Sequence, residues 1–181
     1  MRFFRNLFSQ FHVYLTWLVL SIVFWGWIYT LVTDTVPARK VTIFADVPSM
    51  FETALDLELE KDMPDGIKMI RAHPFRYVMI QDSIIAQADI FIVKEEDAVK
   101  YREAFYPLDG VLVAAAADRL VLDGATYGIK AYEGSTGEGA AGSMVEYVPG
   151  EADYYLFINK DSVHIEDGVA AKVARDFLKL K

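Results

Sequence analysis

ADIFIV, residues 88–93, is an apolar run interrupted only by Asp89, and its reading sets the fold. A short continuous run rich in β-branched and aromatic residues describes a strand covered on both faces. Residues 95–105 then read as helix, with Glu95, Glu96 and Asp97 early and Lys100 and Arg102 late, as the helix dipole prefers. Pro107 stops it. A doubly covered strand feeding a helix is the unit of an α/β sandwich.

The same alternation runs in both directions. Upstream, KVTIFADV (40–47) is β-branched and reads as a strand. Ser49-Met50-Phe51-Glu52 has the spacing of a capping box, and Phe51, Leu55 and Leu59 fall on one face of the helix it would open. Pro64-Asp65-Gly66 is a turn, residues 67–72 a second strand, and His73-Pro74 its break. Asp82 or Ser83 caps a short helix through Gln87. Downstream, residues 120–132 carry a turn and a strand, and YYLFI (154–158) is another. Residues 167–180 make the clearest helix, with Ala170, Val173, Ala174, Phe177 and Leu178 on one stripe and Lys172, Arg175 and Lys179 off it. The expected fold is a single α/β lobe, a largely parallel sheet flanked by helices.

Ahead of it, residues 13–32 (VYLTWLVLSIVFWGWIYTLV) contain no charge. At about 1.5 Å per residue they span roughly 30 Å, the thickness of a hydrocarbon core. A secretory signal would need only ~7–15 apolar residues and a small-residue cleavage site, and Val36-Pro37-Ala38 is a poor one. The run is therefore read as an uncleaved anchor, with the lipid bilayer as a partner, rather than a buried core helix. Arg2 and Arg5 precede it without an acid, Asp34 follows it, and Trp25, Trp27 and Tyr29 cluster at its far end. That pattern places the N-terminus in the cytoplasm and the rest outside a cell membrane. Phe3, Phe4, Leu7, Phe8 and Phe11 recur at helical spacing and extend the helix along the inner surface. The organisation expected is cytoplasmic end and anchor at 1–34, linker at 35–40, and extracytoplasmic domain at 41–181.

The 181 residues carry 18 Lys+Arg and 26 Asp+Glu. Four of the bases (Arg2, Arg5, Arg39, Lys40) and one of the acids (Asp34) lie in residues 1–40, leaving 14 and 25, a formal charge of −11. Such a surface repels nucleic acid and anionic lipid. Cysteine is absent, which excludes disulfides, thiolate chemistry and a lipidated cysteine. The composition suits a bacterial envelope protein.

GSTGEGAAGS (134–143) contains Gly137-x-Gly139-x-x-Gly142, the spacing of a dinucleotide loop. Such a loop must open a helix whose amides hold the pyrophosphate. Here SMVEYVPG follows, then another strand, so no helix fits; no Lys-Ser/Thr pair makes it a phosphate loop. It reads as a mobile connection between strands. His164-Ile165-Glu166 offers two ligands on one strand face, short of a closed metal site, and His164 is read as a surface histidine. DLELEKD (56–62) alternates acids with leucines instead of following a calcium loop, and reads as a solvated helix end. No nucleophile elbow accompanies the histidines, so no enzyme and no cofactor are expected.

LDGATYGIKAY (122–132) resembles the Asp-Gly-x-x-Tyr-Gly-Ile-Pro segment of bacterial ABC-transporter solute-binding proteins of the two-lobed periplasmic type. DSIIAQADIFIVKEED (82–97) is similar to their short helix leading into a buried strand, and YYLFINKDSVHIEDGVAAKVARDFL (154–178) to their return segment. Lys130 stands where the family's proline would be, and about twenty residues replace the second lobe. The resemblance implies one periplasmic-binding-like lobe, with the glycine loop bridging the missing one.

Half a cleft binds a solute weakly and leaves an edge free for another protein, while a tether raises effective concentration near membrane partners. The expected function is a membrane-tethered, solute-binding-like interaction module of a transporter or other envelope complex. The alternative is a genuine small-solute receptor, of low affinity or completed by dimerisation. Open α/β sheets place a site at the carboxyl ends of their strands. That nominates Asp46 and Ser49, then His73 and Asp82, then Asn159 and Ser162. Ser49 and Asp82 are read first as helix caps, and Asn159 and Ser162 come by resemblance alone.

Overall fold

The computed structural model describes residues 11–33, 36–74, 88–150 and 152–180, the side chains of 30–33 excepted. Asp82, the short helix expected at 82–87, and the extension through Phe3, Phe4, Leu7 and Phe8 lie outside the described residues. The chain divides into two compact units, residues 1–35 and 36–181.

The first unit holds helix α1, Phe11–Thr33. Its 23 residues extend roughly 34 Å at about 1.5 Å each. Among the described residues it is the one helix long and apolar enough to cross a membrane, and its position near the N-terminus suits a signal sequence equally. Its apolar side chains are exposed along their length, Trp17 and Trp25 among them. Thr16 covers its own hydroxyl by donating it to the carbonyl of His12, one turn back.

The second unit is built on a seven-stranded sheet. Its strands are β1 (Lys40–Ala45), β3 (Met69–Pro74), β4 (Ile90–Lys94), β5 (Arg119–Leu122), β6 (Ala125–Glu133), β7 (Glu138–Gly139) and β9 (Tyr154–Ile158). Their order is β3-β1-β4-β9-β6-β5, with β7 on β6; a separate pair joins β2 (Ser49–Met50) to β8 (Val145–Glu146). β1 is parallel to β3 and β4, but β9 is antiparallel to β4 and to β6, and β6 to β5 and β7. The α/β class stands, with a mixed sheet.

Both faces are covered, as the unbroken apolar runs require. On one face Ile43, Ile70, Ile92, Leu156 and Ile129 meet Leu55 and Leu59 of α2 (Glu52–Leu59) and Ala170, Val173 and Phe177 of α4 (Val169–Lys179). On the other, Phe91, Val93 and Phe157 pack with Ala98 of α3 (Glu95–Lys100) and with Phe105. The rings of Phe105 and Phe157 stack with centroids 4.3 Å apart.

Local expectations were overridden where a distant partner competes. Ser49 caps no helix: it lies in β2 and its hydroxyl donates to Glu146 Oε2 at 2.5 Å, while Phe51 precedes α2. His73 and Pro74 end β3 rather than break it, because the ladder with β1 continues to Ala45↔Pro74. The helix expected to Phe105 stops at Lys100, and residues 102–104 tighten into a 3₁₀ turn. DLELEKD ends α2 and is solvated only in part: Leu57, Lys61 and Asp62 are exposed, but Asp56 is buried, accepting from Arg71 Nη1 at 2.7 Å and Ala72 N–H at 2.8 Å, which fastens α2 to β3. Within the stretch read as linker, Pro37–Arg39 forms a 3₁₀ turn of the second unit, and Arg39 O accepts from Lys68 N–H.

Nor is the glycine loop a loose connection. Ala140 and Ala141 are buried; Ala140 N–H donates to Ala131 O and Ala141 N–H to Leu180 O. Tyr132 and Tyr147 stack at 4.5 Å beneath it, and Tyr147 donates its hydroxyl to Ala140 O. A Cβ at Gly139 would lie 2.6 Å from Tyr132 Cδ2, and one at Gly134 2.8 Å from Ala152 O. These two glycines serve close packing, and the chain passes into β8 instead of a helix.

Candidate functional site

The direction of β9 decides where the expected site residues fall. At the carboxyl end of β1 and β3 stand Asp46, Ser49 and His73, with Asp46 N–H donating to Ile92 O. His73 Nδ1 lies 2.9 Å from Glu52 Oε2, and its ring packs 5.9 Å from that of Phe44. Ser49 is held by Glu146. This end is solvent-facing, the His73 and Glu52 side chains being 40% and 46% exposed.

Asn159 and Ser162 are at the opposite end. Because β9 pairs antiparallel with β4, Ile158↔Ile90, its last residue delivers the chain to where β1 and β4 begin. Asn159 is fully buried; its Nδ2 donates to Ala88 O at 2.6 Å and its Oδ1 accepts from Asp161 N–H. Ser162 donates to Asp89 Oδ1 at 2.5 Å and accepts from His164 N–H. The six nominated residues therefore do not assemble into one site: three share one end, two the other, and Asp82 is outside the described residues.

The second end holds a polar knot that sequence reasoning missed. Asp89 is buried; besides Ser162 it accepts from Thr42 N–H at 2.8 Å. Burial pushes its carboxyl up from the usual range, against the opposing pull of Ser162, Thr42, His164 and Lys40. His164, expected on the surface, is 1% exposed. Its Nδ1 lies 3.2 Å from Asp167 Oδ2, and its Nε2 lies 3.2 Å from Pro37 O and 3.1 Å from Lys40 O. Burial opposes the imidazolium, but the Asp167 hydrogen bond, the Asp89 charge and the two carbonyls outweigh it and raise the His164 pKa. Burial likewise works against the Asp167 charge, yet Val169 N–H and His164 hold its carboxyl below the usual range.

The residue types suggest a serine–histidine–acid set, but the geometry rules it out. A nucleophile needs its base within hydrogen-bond reach. The Ser162 hydroxyl goes to Asp89, and both ring nitrogens of His164 face other partners. What the knot does is fasten the starts of β1, β4 and α4 to the segment leaving β9. Nothing in the spacing of residues 89, 162 and 164 announces it; the one local hint is an acid inside the 88–93 run.

Among the described residues no group of three or more His, Asp or Glu could hold a metal ion. A surface hollow of about 300 Å³ is lined by the consecutive residues 99–104, its two cations Lys100 and Arg102 paired with Asp97 and Asp123. Lys130 of β6 sits 2.8 Å from Asp153, just before β9; the other Asp153 oxygen accepts from Gly134 N–H at 2.9 Å, pinning the glycine loop where it leaves β6. The chain matches no family model, no curated protein and no solved structure.

Proposed function

We propose that the chain is a membrane-tethered interaction module, its domain outside the cytoplasm and held near an envelope complex such as a transporter. The apolar helix α1 joined to a folded α/β unit supports the tether, and the positive N-terminal flank supports the orientation. The order of segments 82–97, 122–132 and 154–178 supports kinship with one lobe of a solute-binding protein. One observation favours a protein partner over a solute. The polar side chains at both sheet ends are tied to one another, Ser49 to Glu146, His73 to Glu52 and Ser162 to Asp89, instead of converging on a shared hollow.

The test is photo-crosslinking of the full-length protein in its native membrane. A photoreactive residue replaces Phe51, 70% exposed near the carboxyl end, or Val163, 59% exposed at the other. A discrete adduct from one position, lost when α1 is removed, is the expected result. No adduct from either, together with a saturable thermal shift on adding sugars, amino acids or short peptides, would favour the solute receptor instead.

A further inference from the structure

His164 stands out because, among the described residues, its ring nitrogens face hydrogen-bond acceptors alone. The carboxylate of Asp167 faces Nδ1, and the carbonyls of Pro37 and Lys40 face Nε2. A neutral imidazole carries one N–H and one lone pair. In this enclosure the lone pair would confront either a carboxylate or two carbonyls, so the ring satisfies all its neighbours only with both protons on. Among the described residues the charged groups facing it are Asp167, just before α4, and Asp89, just before β4; Lys40 of β1 acts on Asp89 in turn.

We propose that protonated His164 is a pH-dependent clasp holding the Pro37–Lys40 turn, where the N-terminal segment joins the domain. The proton that leaves first is the one on Nε2. A hydrogen bond to a carboxylate is stronger than one to a neutral carbonyl, so Asp167 retains the Nδ1 proton. Loss of the Nε2 proton removes the only donor, among the described side chains, that reaches both Pro37 O and Lys40 O. What remains to hold the turn is backbone: Arg39 N–H to Val36 O, Lys40 N–H to Pro37 O, and Lys68 N–H to Arg39 O. Protonation fixes the turn, and deprotonation loosens it. The hydrogen bond to Asp167, the Asp89 charge and the two carbonyls outweigh burial and raise the pKa of this ring above the ordinary 6.5, so the transition lies above that pH.

The experiment uses the full chain in detergent micelles and needs no partner, so its outcome is independent of the proposed function. The His164 ring is titrated by NMR while amide hydrogen exchange of Arg39 and Lys40, corrected for intrinsic rate, is followed over the same pH range. Protection is expected to fall roughly tenfold with the midpoint of the ring, the change that loss of one charged hydrogen bond brings. Asp167→Asn keeps an oxygen on Val169 N–H and turns its Nδ2 donor toward His164 Nδ1, so the neutral ring keeps its Nε2 proton; the ring midpoint is expected to fall and the pH step in Arg39 and Lys40 protection to vanish. His164→Phe, which carries no donor, is expected to exchange fast at every pH; if it fails to fold, the comparison with Asp167→Asn decides. Protection that stays constant while the wild-type ring titrates, or a pH step at Arg39 and Lys40 that persists unchanged in Asp167→Asn, overturns the clasp.

Discussion

Ser162 donates its hydroxyl to Asp89 at 2.5 Å across 73 residues of chain. That contact joins the two halves of the mixed sheet at the end where β4 begins and β9 finishes. The remaining Asp89 oxygen is bound to Thr42 N–H, so the carboxylate also reaches the neighbouring strand β1.

Ser162→Ala removes a donor and leaves a buried carboxylate half-satisfied. The expected loss is about 2 kcal/mol of unfolding free energy, measured by denaturant unfolding. Asp89→Asn in the Ser162→Ala background is expected to recover part of it, since the neutral amide is cheaper to bury. Were the knot a catalytic group, the same substitutions would spare stability.

A second ion pair gives a pH dependence of opposite sign to that of His164. Burial opposes the Asp153 charge, but Lys130 and Gly134 N–H outweigh it and hold the carboxyl below its ordinary 3.8. A lowered folded pKa means the contribution is whole above the unfolded value and disappears as pH falls through the folded one. Stability is therefore expected to decline below about pH 4 through this pair, among other carboxylates, and Asp153→Asn to flatten that decline while costing about 1 kcal/mol at neutral pH. Thermal unfolding of both chains from about pH 2 to 7 measures it.

Much of the fold is legible because it depends on local pattern. YYLFI coincides with β9, Tyr154–Ile158, and the apolar stripe of α4 is the face that packs on the core. Strand direction is not local: nothing in YYLFI says that it runs against β4, and that one fact sends Asn159 and Ser162 away from Asp46, Ser49 and His73. Ser49 fails as a cap for the same reason, its partner Glu146 being 97 residues distant. His164 is misread because burial is a property of what surrounds it, here Asp89, Asp167 and the Pro37–Lys40 turn.

The anchor is tested by a single charge. Leu20 lies mid-way along α1 and is 54% exposed. Leu20→Arg adds about 3–4 kcal/mol to the cost of inserting the helix, the leucine's favourable contribution being lost as well. If α1 is a retained anchor, the variant is expected to move from the membrane fraction toward the soluble one, and the wild-type chain to keep its N-terminal mass. A wild-type chain that loses residues 1–35 on export would make α1 a signal sequence.

The glycine loop offers the sharpest contrast between packing and ligand binding. In a dinucleotide loop the glycines let the backbone approach a pyrophosphate, and each substitution costs binding. Here Gly139 and Gly142 differ in their surroundings. A Cβ on Gly139 meets Tyr132 Cδ2 at 2.6 Å and Ala131 O at 3.0 Å, in the layer where Tyr132 stacks on Tyr147. A Cβ on Gly142 meets only Gly139 O, at 3.4 Å, and its φ is not positive. Gly139→Ala is therefore expected to lose about 1–3 kcal/mol as overpacking forces the tyrosine or the strand aside, and Gly142→Ala less than about 0.5 kcal/mol. Denaturant unfolding of the two variants separates the readings. Equal and small losses would mean that the loop does not pack on Tyr132, and its glycines would again need a ligand to account for them.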